Sequence, residues 1–260
     1  MLRGLIPSVK LSIALLVALT RVLPKTRGER LGPSSKRNEA LKAFHMRLRE
    51  TLPGPVELWG VRLATPRMNA QEAAILSSFL NARDWDVEDA TTMFHSSMRW
   101  RRSFGVDRLS ASQFEDFPCE IFRGRDNQGN LLVVLRLGEL RGDCFKDMQR
   151  FVRWRVYMQE ALNSQLDFAK GEPLYKLVLN CEGFSTGHFS KAARRCAKEL
   201  SRVSQDNYPD YLGQILICSP PPIFAFAYGI LRPFLPRNFV KLIKVHKGDE
   251  ASCLAKARQV

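Results

Sequence analysis

Apolar and polar positions follow two different periods along this chain, and the change falls near Asp107. Before that point the apolar positions recur at helical spacing. Leu41–Leu52 reads as one helix, stopped by Pro53-Gly54-Pro55, because proline lacks the amide donor and disfavours helical backbone in the residue before it. Glu57–Val61 is short and extended, a candidate docking strand. Asn69-Ala70-Gln71-Glu72 has the spacing of a capping box, and the helix behind it runs to about Arg83. Asp86 caps a further helix, with Trp85 and Ala90 at the two positions of a hydrophobic staple. Val87, Ala90, Phe94, Ser97 and Met98 share one face of it, and Gly105 ends it.

Beyond Asp107 the period shortens. Cys119–Gly124 and Asn130–Gly138 read as strands around the turn Arg125-Asp126-Asn127-Gln128-Gly129. Lys146–Phe168 is a long helix, Tyr175–Cys181 a buried strand and His188–Asn207 a helix. Gly213–Cys218 and Phe239–Val245 are strands. Strands alternating with helices predict an α/β fold with a largely parallel sheet. The expected organisation is a basic arm (1–40), a helical module (41–107), an α/β domain (108–250) and a C-terminal tail (251–260). No internal repeat is visible.

Charge adds a partner. The 260 residues carry a formal +14. Residues 1–42 hold nine Lys/Arg against Glu29 and Glu39, which is half of that excess. A basic arm fits an anionic membrane or a nucleic acid, and the absence of a nucleic-acid motif favours the membrane. Leu11–Val22 is apolar but short for a bilayer span. An arm, a transit peptide and a signal or anchor all remain open for residues 1–28. Six cysteines stand singly with no CxxC, which points away from a disulfide framework or a zinc site and towards a reducing compartment. His45, His95, His188 and His246 show no metal spacing. No Walker or Gly-x-Gly-x-x-Gly cradle occurs, which argues against nucleotide binding.

Five blocks then fall in one order: FLNARDWDVEDATTMFHSSMRWRRSFGV at 79–106, YKLVLNCEG at 175–183, NYPD at 207–210, ILICSP at 215–220 and PIFAFAYGILRPFL at 222–235. Together they resemble the CRAL-TRIO lipid-transfer family. The resemblance implies a helical module ahead of an α/β lipid-pocket domain, and a carrier rather than an enzyme. Phe151–Asp167 with Leu58-Trp59-Gly60-Val61 is most similar to a fungal-type phosphatidylinositol-transfer branch, some of whose members bind haem.

By the same resemblance Arg83 contacts the lipid phosphate, Asp210 stands for a headgroup-binding Glu, and Lys241 is the nearest substitute for a phosphate-binding Lys. Period 2 would put Lys241 on one strand face with Phe239 and Val245. Asp84 stands where the family often has Lys. Phe224, Phe226, Tyr228 and Phe234 lie on the implied gate helix, apolar all round except Arg232. For haem, Cys181 replaces a Tyr ligand, Leu179 stands in place of His, and Arg155 matches an Arg that would pair a propionate. No cofactor is required, with haem as the alternative. The expected partners are a phospholipid and an anionic membrane surface, with no nucleic acid and a monomeric chain. The expected place is the cytoplasm, peripheral to the endoplasmic reticulum or plasma membrane. A neutral hydrophobic ligand is the alternative cargo.

One enzyme signal competes. Gly183-Phe184-Ser185-Thr186-Gly187 spells Gly-x-Ser-x-Gly between a strand and a helix, the setting of a nucleophile elbow. Asp206 or Asp210 and then His246 would complete a serine hydrolase. The bland alternative is a turn whose Ser185 or Thr186 caps the next helix.

Overall fold

The computed structural model describes residues 34–117, 121–171, 173–184, 188, 190–222 and 237–259. The basic arm, the gate segment with Phe224, Phe226, Tyr228 and Phe234, and Ser185 and Thr186 therefore lie outside the described residues.

The helical module comprises α1 (Ser34–Thr51), a hairpin of β1 (Val56–Leu58) and β2 (Val61–Leu63), α2 (Ala70–Asn81) and α3 (Val87–Phe104). Helix α1 begins seven residues before Leu41, inside the stretch read as arm. Phe44, Phe79 and Phe94 meet edge to face, with ring centroids 6.3 and 5.2 Å apart around Phe94. Both predicted caps form. The Asn69 side chain accepts the Glu72 amide at 2.8 Å, and that of Asp86 accepts the Asp89 amide at 2.8 Å. Gly105 closes α3 at φ +73°. The reciprocal half of the capping box is absent. The buried Glu72 side chain accepts instead the Ala64 amide at 2.6 Å and the Thr65 hydroxyl at 2.6 Å, with His45 Nε2 3.3 Å away. A carboxylate taken out of water needs several donors, and this loop supplies them.

The hairpin turn places Trp59 at φ +52° and Gly60 at φ +79°, the two left-handed residues of a turn whose twist matches the strands. Tryptophan is a poor choice there. Its ring is held by stacking on Phe168 and Tyr208, with centroids 6.1 and 6.4 Å away.

The α/β domain contains β3 (Ile121–Arg125), β4 (Leu131–Arg136), α4 (Met148–Ser164), β5 (Tyr175–Asn180), α5 (Lys191–Asn207), β6 (Leu212–Cys218), α6 (Arg237–Leu242), β7 (Ile243–His246) and α7 (Glu250–Gln259). The sheet order is β3-β4-β5-β6-β7. Only β3 and β4 are antiparallel. Val133, Leu177, Ile215 and Ile243 lie in one row, and Val134, Val178, Leu216 and Lys244 in the next. With a period of 2, these rows point to opposite faces. The first faces the main core with α2 to α5, and the second packs on α7.

Three expectations need correcting. Residues 251–259 of the expected tail are most of α7, whose Cys253 and Ala257 are fully buried on the back of the sheet. Cys218 and Cys253 form a disulfide across 35 residues of chain, so the cysteines are not all single. The strand expected over Phe239–Val245 is helix α6 to Leu242, and only Ile243–His246 joins the sheet. Over so short a run, periods of 2 and 3.6 cannot be told apart.

Candidate functional site

The sheet has a strand-start end and a strand-exit end, and the sequence-predicted residues divide between them. At the start end, α2, the end of α5 and the start of β6 converge. The chain after α2 makes a tight turn with Asp84 and Trp85 at φ +53° and +66°, which carries Arg83 towards α5. Arg83 Nη1 donates to the Ala82 carbonyl at 2.9 Å, and Nη2 to the Gln205 carbonyl at 3.4 Å. Asp210 follows five residues after Gln205. It is exposed, and its side chain accepts the Leu212 amide at 2.9 Å. Tyr211 bonds Ser78 of α2 through its hydroxyl at 2.8 Å. Arg83 and Asp210, 127 positions apart in sequence, thus flank one helix end. Lys241 is exposed on α6, so the strand-face argument for it falls. Among the described residues, no hydrogen bond or ion pair links it to Arg83 or Asp210.

A carboxylate that the sequence did not single out organises the same end. Glu160 on α4 accepts both Arg101 nitrogens of α3 at 2.7 Å, the Tyr208 hydroxyl at 2.6 Å and the Trp59 indole N–H at 3.1 Å. Burial alone would pull the Arg101 guanidinium down, but the Glu160 bonds outweigh it and hold it above its ordinary range. One residue therefore ties the hairpin, α3 and the turn after α5 to the α/β domain. The only sequence hints were Trp59 within Leu58-Trp59-Gly60-Val61 and Arg101 within Trp-Arg-Arg. Two further arginines of α4 are tied down, Arg150 while remaining exposed and Arg153 partly buried. Arg150 pairs with Asp116, and Arg153 donates to the Phe104 carbonyl at 3.1 Å.

Cys181 lies at the strand-exit end, directly after β5, and is buried in the main core beside Leu179. Burial pushes its thiol up to about 12. Thiolate ligation of haem needs the opposite, a deprotonated sulfur. Arg155 is buried on α4, with its guanidinium 5.2 Å above the Trp154 ring. Both haem candidates are thus packed into the core.

The hydrolase constellation does not assemble either. Asp206 and Asp210 sit at the strand-start end. His246 pairs with Cys218 at the exit end and contacts Ser252 Oγ at 3.3 Å. The seven residues of β6 separate them, about 20 Å at a rise of roughly 3.3 Å per residue.

The exit end also carries a polar cleft of about 480 Å³, lined by Arg136, Asn180, Glu182, Asp249 and Glu250 among others. Arg136 grips Glu250 at 2.8 and 2.9 Å, and Asn180 adds a bond at 3.0 Å. Charged walls of this kind do not suit acyl chains. On the front of the sheet Leu135, Leu179, Ile217 and Val245 lie in one apolar row, the first three buried in the main core. Val245 at its edge is 45% exposed.

Known proteins share this arrangement. The family profile described as CRAL/TRIO domain matches residues 118–257, more than half of the chain. Patellin-1 of Arabidopsis thaliana is 28% identical over 181 residues, 65% of this chain and 30% of its own length. The phosphatidylinositol transfer protein sfh-5 of Neurospora crassa is 25% identical over 224 residues, 77% of this chain and 61% of its own. The chain therefore spans less than two thirds of these relatives. The crystal structure of Sfh5 superposes with a TM-score of 0.66 at 18% identity, covering 82% of this chain and 81% of that one. The alternating rows of the sheet, the helical cover on its front face and the matched profile lead to one conclusion: this chain belongs to the CRAL/TRIO domain family.

Proposed function

We propose that the protein is a carrier that exchanges a phosphatidylinositol-like phospholipid between membranes, acting in the cytoplasm at the surface of the endoplasmic reticulum or plasma membrane. The observation that carries this reading is that Arg83 bonds the last turn of α5 at Gln205 while Asp210 lies five residues further along the chain, at the strand-start end of the sheet. A phosphate withdrawn from water needs a charge-assisted partner, and Arg83 is a half-buried guanidinium whose partners among the described residues are two backbone carbonyls. Asp210 supplies an acceptor for headgroup hydroxyls. Burying acyl chains contributes about 0.8 kcal/mol per CH₂, so apolar burial of the chains provides the bulk of the affinity and the polar end provides selection. Two relatives named as phosphatidylinositol transfer proteins support the choice of headgroup.

The test is Arg83→Ala with fluorescent phosphatidylinositol transfer between vesicles. The two bonds of Arg83 to carbonyls are worth about 1 kcal/mol in stability, so the fold should survive. Transfer should fall about 10-fold to 100-fold, the worth of one charge-assisted bond. Undiminished transfer would overturn the site.

A second reading keeps the fold and changes the cargo to a neutral lipid. Asp84, exposed beside Arg83, favours it by placing a negative charge next to the proposed phosphate position. Native mass spectrometry of detergent-free protein separates the two by the mass of the bound lipid.

A further inference from the structure

Helix α5 carries a feature that its own stability does not explain. Lys191, Arg195, Lys198 and Arg202 are spaced by four, three and four residues, and all are exposed. At 100° per residue they fall in a stripe roughly 60° wide and about 16 Å long. The opposite face, Ala193, Cys196, Ala197, Leu200 and Val203, is buried against the core. Arg202 is bonded to Glu199 and lies 3.9 Å from Asp206. Among the described residues no carboxylate pairs with Lys191, Arg195 or Lys198.

The placement runs against the helix dipole. Positive charge is disfavoured at a helix N-terminus, and the first turn of α5 holds Lys191 and no acid. Helix α3 shows the ordinary arrangement, with Glu88 and Asp89 in its first turn and Arg101 and Arg102 in its last. Lys191 opposes the dipole, and the like charges at i, i+4 (Lys191 with Arg195, Lys198 with Arg202) add a small cost, so helix stability does not account for the stripe.

We infer that the outer face of α5 is the surface on which the protein docks to an anionic lipid bilayer. This inference rests on the carrier reading, which requires the protein to meet a membrane. A straight row of exposed cations on a rigid helix matches a plane of negative headgroups. Each Lys or Arg at such a surface multiplies partitioning about fivefold, and the attraction fades within a Debye length, so it weakens with salt.

The test uses the full chain and vesicles of phosphatidylcholine alone or with phosphatidylserine at about seven to three, read by co-sedimentation. The variant is Lys191→Gln, Arg195→Gln, Lys198→Gln. Glutamine keeps helix propensity, and circular dichroism checks that the fold is retained. A control, Arg62→Gln, Arg67→Gln, Lys256→Gln, removes the same charge from exposed positions elsewhere. Partitioning onto the anionic vesicles should fall about 100-fold in the α5 variant and at most about threefold in the control. Equal losses would show that net charge alone acts, and no loss in the α5 variant would remove the face from docking. Either overturns the inference, as does RNA binding that competes with the vesicles for the same three residues. The bound lipid is measured separately by native mass spectrometry. A protein that docks through α5 but carries no lipid would refute the carrier and leave the face, whereas a lipid-loaded protein indifferent to α5 would do the reverse.

Discussion

Removing the Glu160 carboxylate should loosen the joint between the helical module and the α/β domain. In Glu160→Leu, Arg101 loses both of its 2.7 Å bonds, and the Tyr208 hydroxyl and Trp59 indole lose theirs. Deleting one partner of a buried ion pair costs about 3–5 kcal/mol. The side chains of Arg101 and Glu160 are 13% and 18% exposed, so water softens the loss and the lower end applies. The two orphaned neutral donors add about 0.5–1 kcal/mol together, because water reaches this edge. The sum is about 4 kcal/mol, a fall in Tm of roughly 8–15 °C for a chain of this size. The assay is urea and thermal unfolding of wild type, Glu160→Leu, Arg101→Met and the double variant. Replacing both charges by apolar groups should recover at least about 1 kcal/mol of the single-variant loss, the signature of coupling in a double-mutant cycle. A single-variant loss under about 1 kcal/mol, or strict additivity within about 0.5 kcal/mol, would refute the view of Glu160 as the joint.

Other consequences concern the C-terminal helix. The Cys218–Cys253 bond closes 35 residues, and chain entropy alone assigns such a loop about 3–4 kcal/mol. Cys218→Ser should lower the urea midpoint accordingly, and non-reducing peptide mapping that finds two free thiols in the folded wild type would refute the pairing. Acid should release the other end of α7. The Arg136 hydrogen bonds, helped by Asn180 and opposed by burial, hold the Glu250 carboxyl below its ordinary value. A depressed carboxylate contributes stability that is complete above its unfolded value, about 4.3, and is lost as pH falls through the folded one. Glu250→Gln should therefore flatten the acid limb of stability below about pH 5. Parallel limbs for variant and wild type would contradict the assignment.

Local chemistry was legible in the chain. Asn69, Asp86 and Gly105 ended their helices where their side-chain and backbone properties dictate, because a cap acts within one turn. The strands at 131–136, 175–180 and 212–218 were readable from their apolar runs. The ordered blocks at 79–106, 175–183, 207–210 and 215–220 carried the family. Tertiary packing decided what depends on partners distant in sequence. Glu72 left its capping box because Ala64 and Thr65 needed an acceptor. Cys218 found Cys253 because α7 lies across β6. Arg83 met the end of α5 because the tight turn at Asp84 and Trp85 aims it there. Glu160 became a hub because three elements, joined by no sequence pattern, present their donors to one buried position. Short-range rules set the elements of this protein. Which side chains share a site was set by the packing of those elements, because burial forces each charged or polar group to find its partner wherever the fold delivers one.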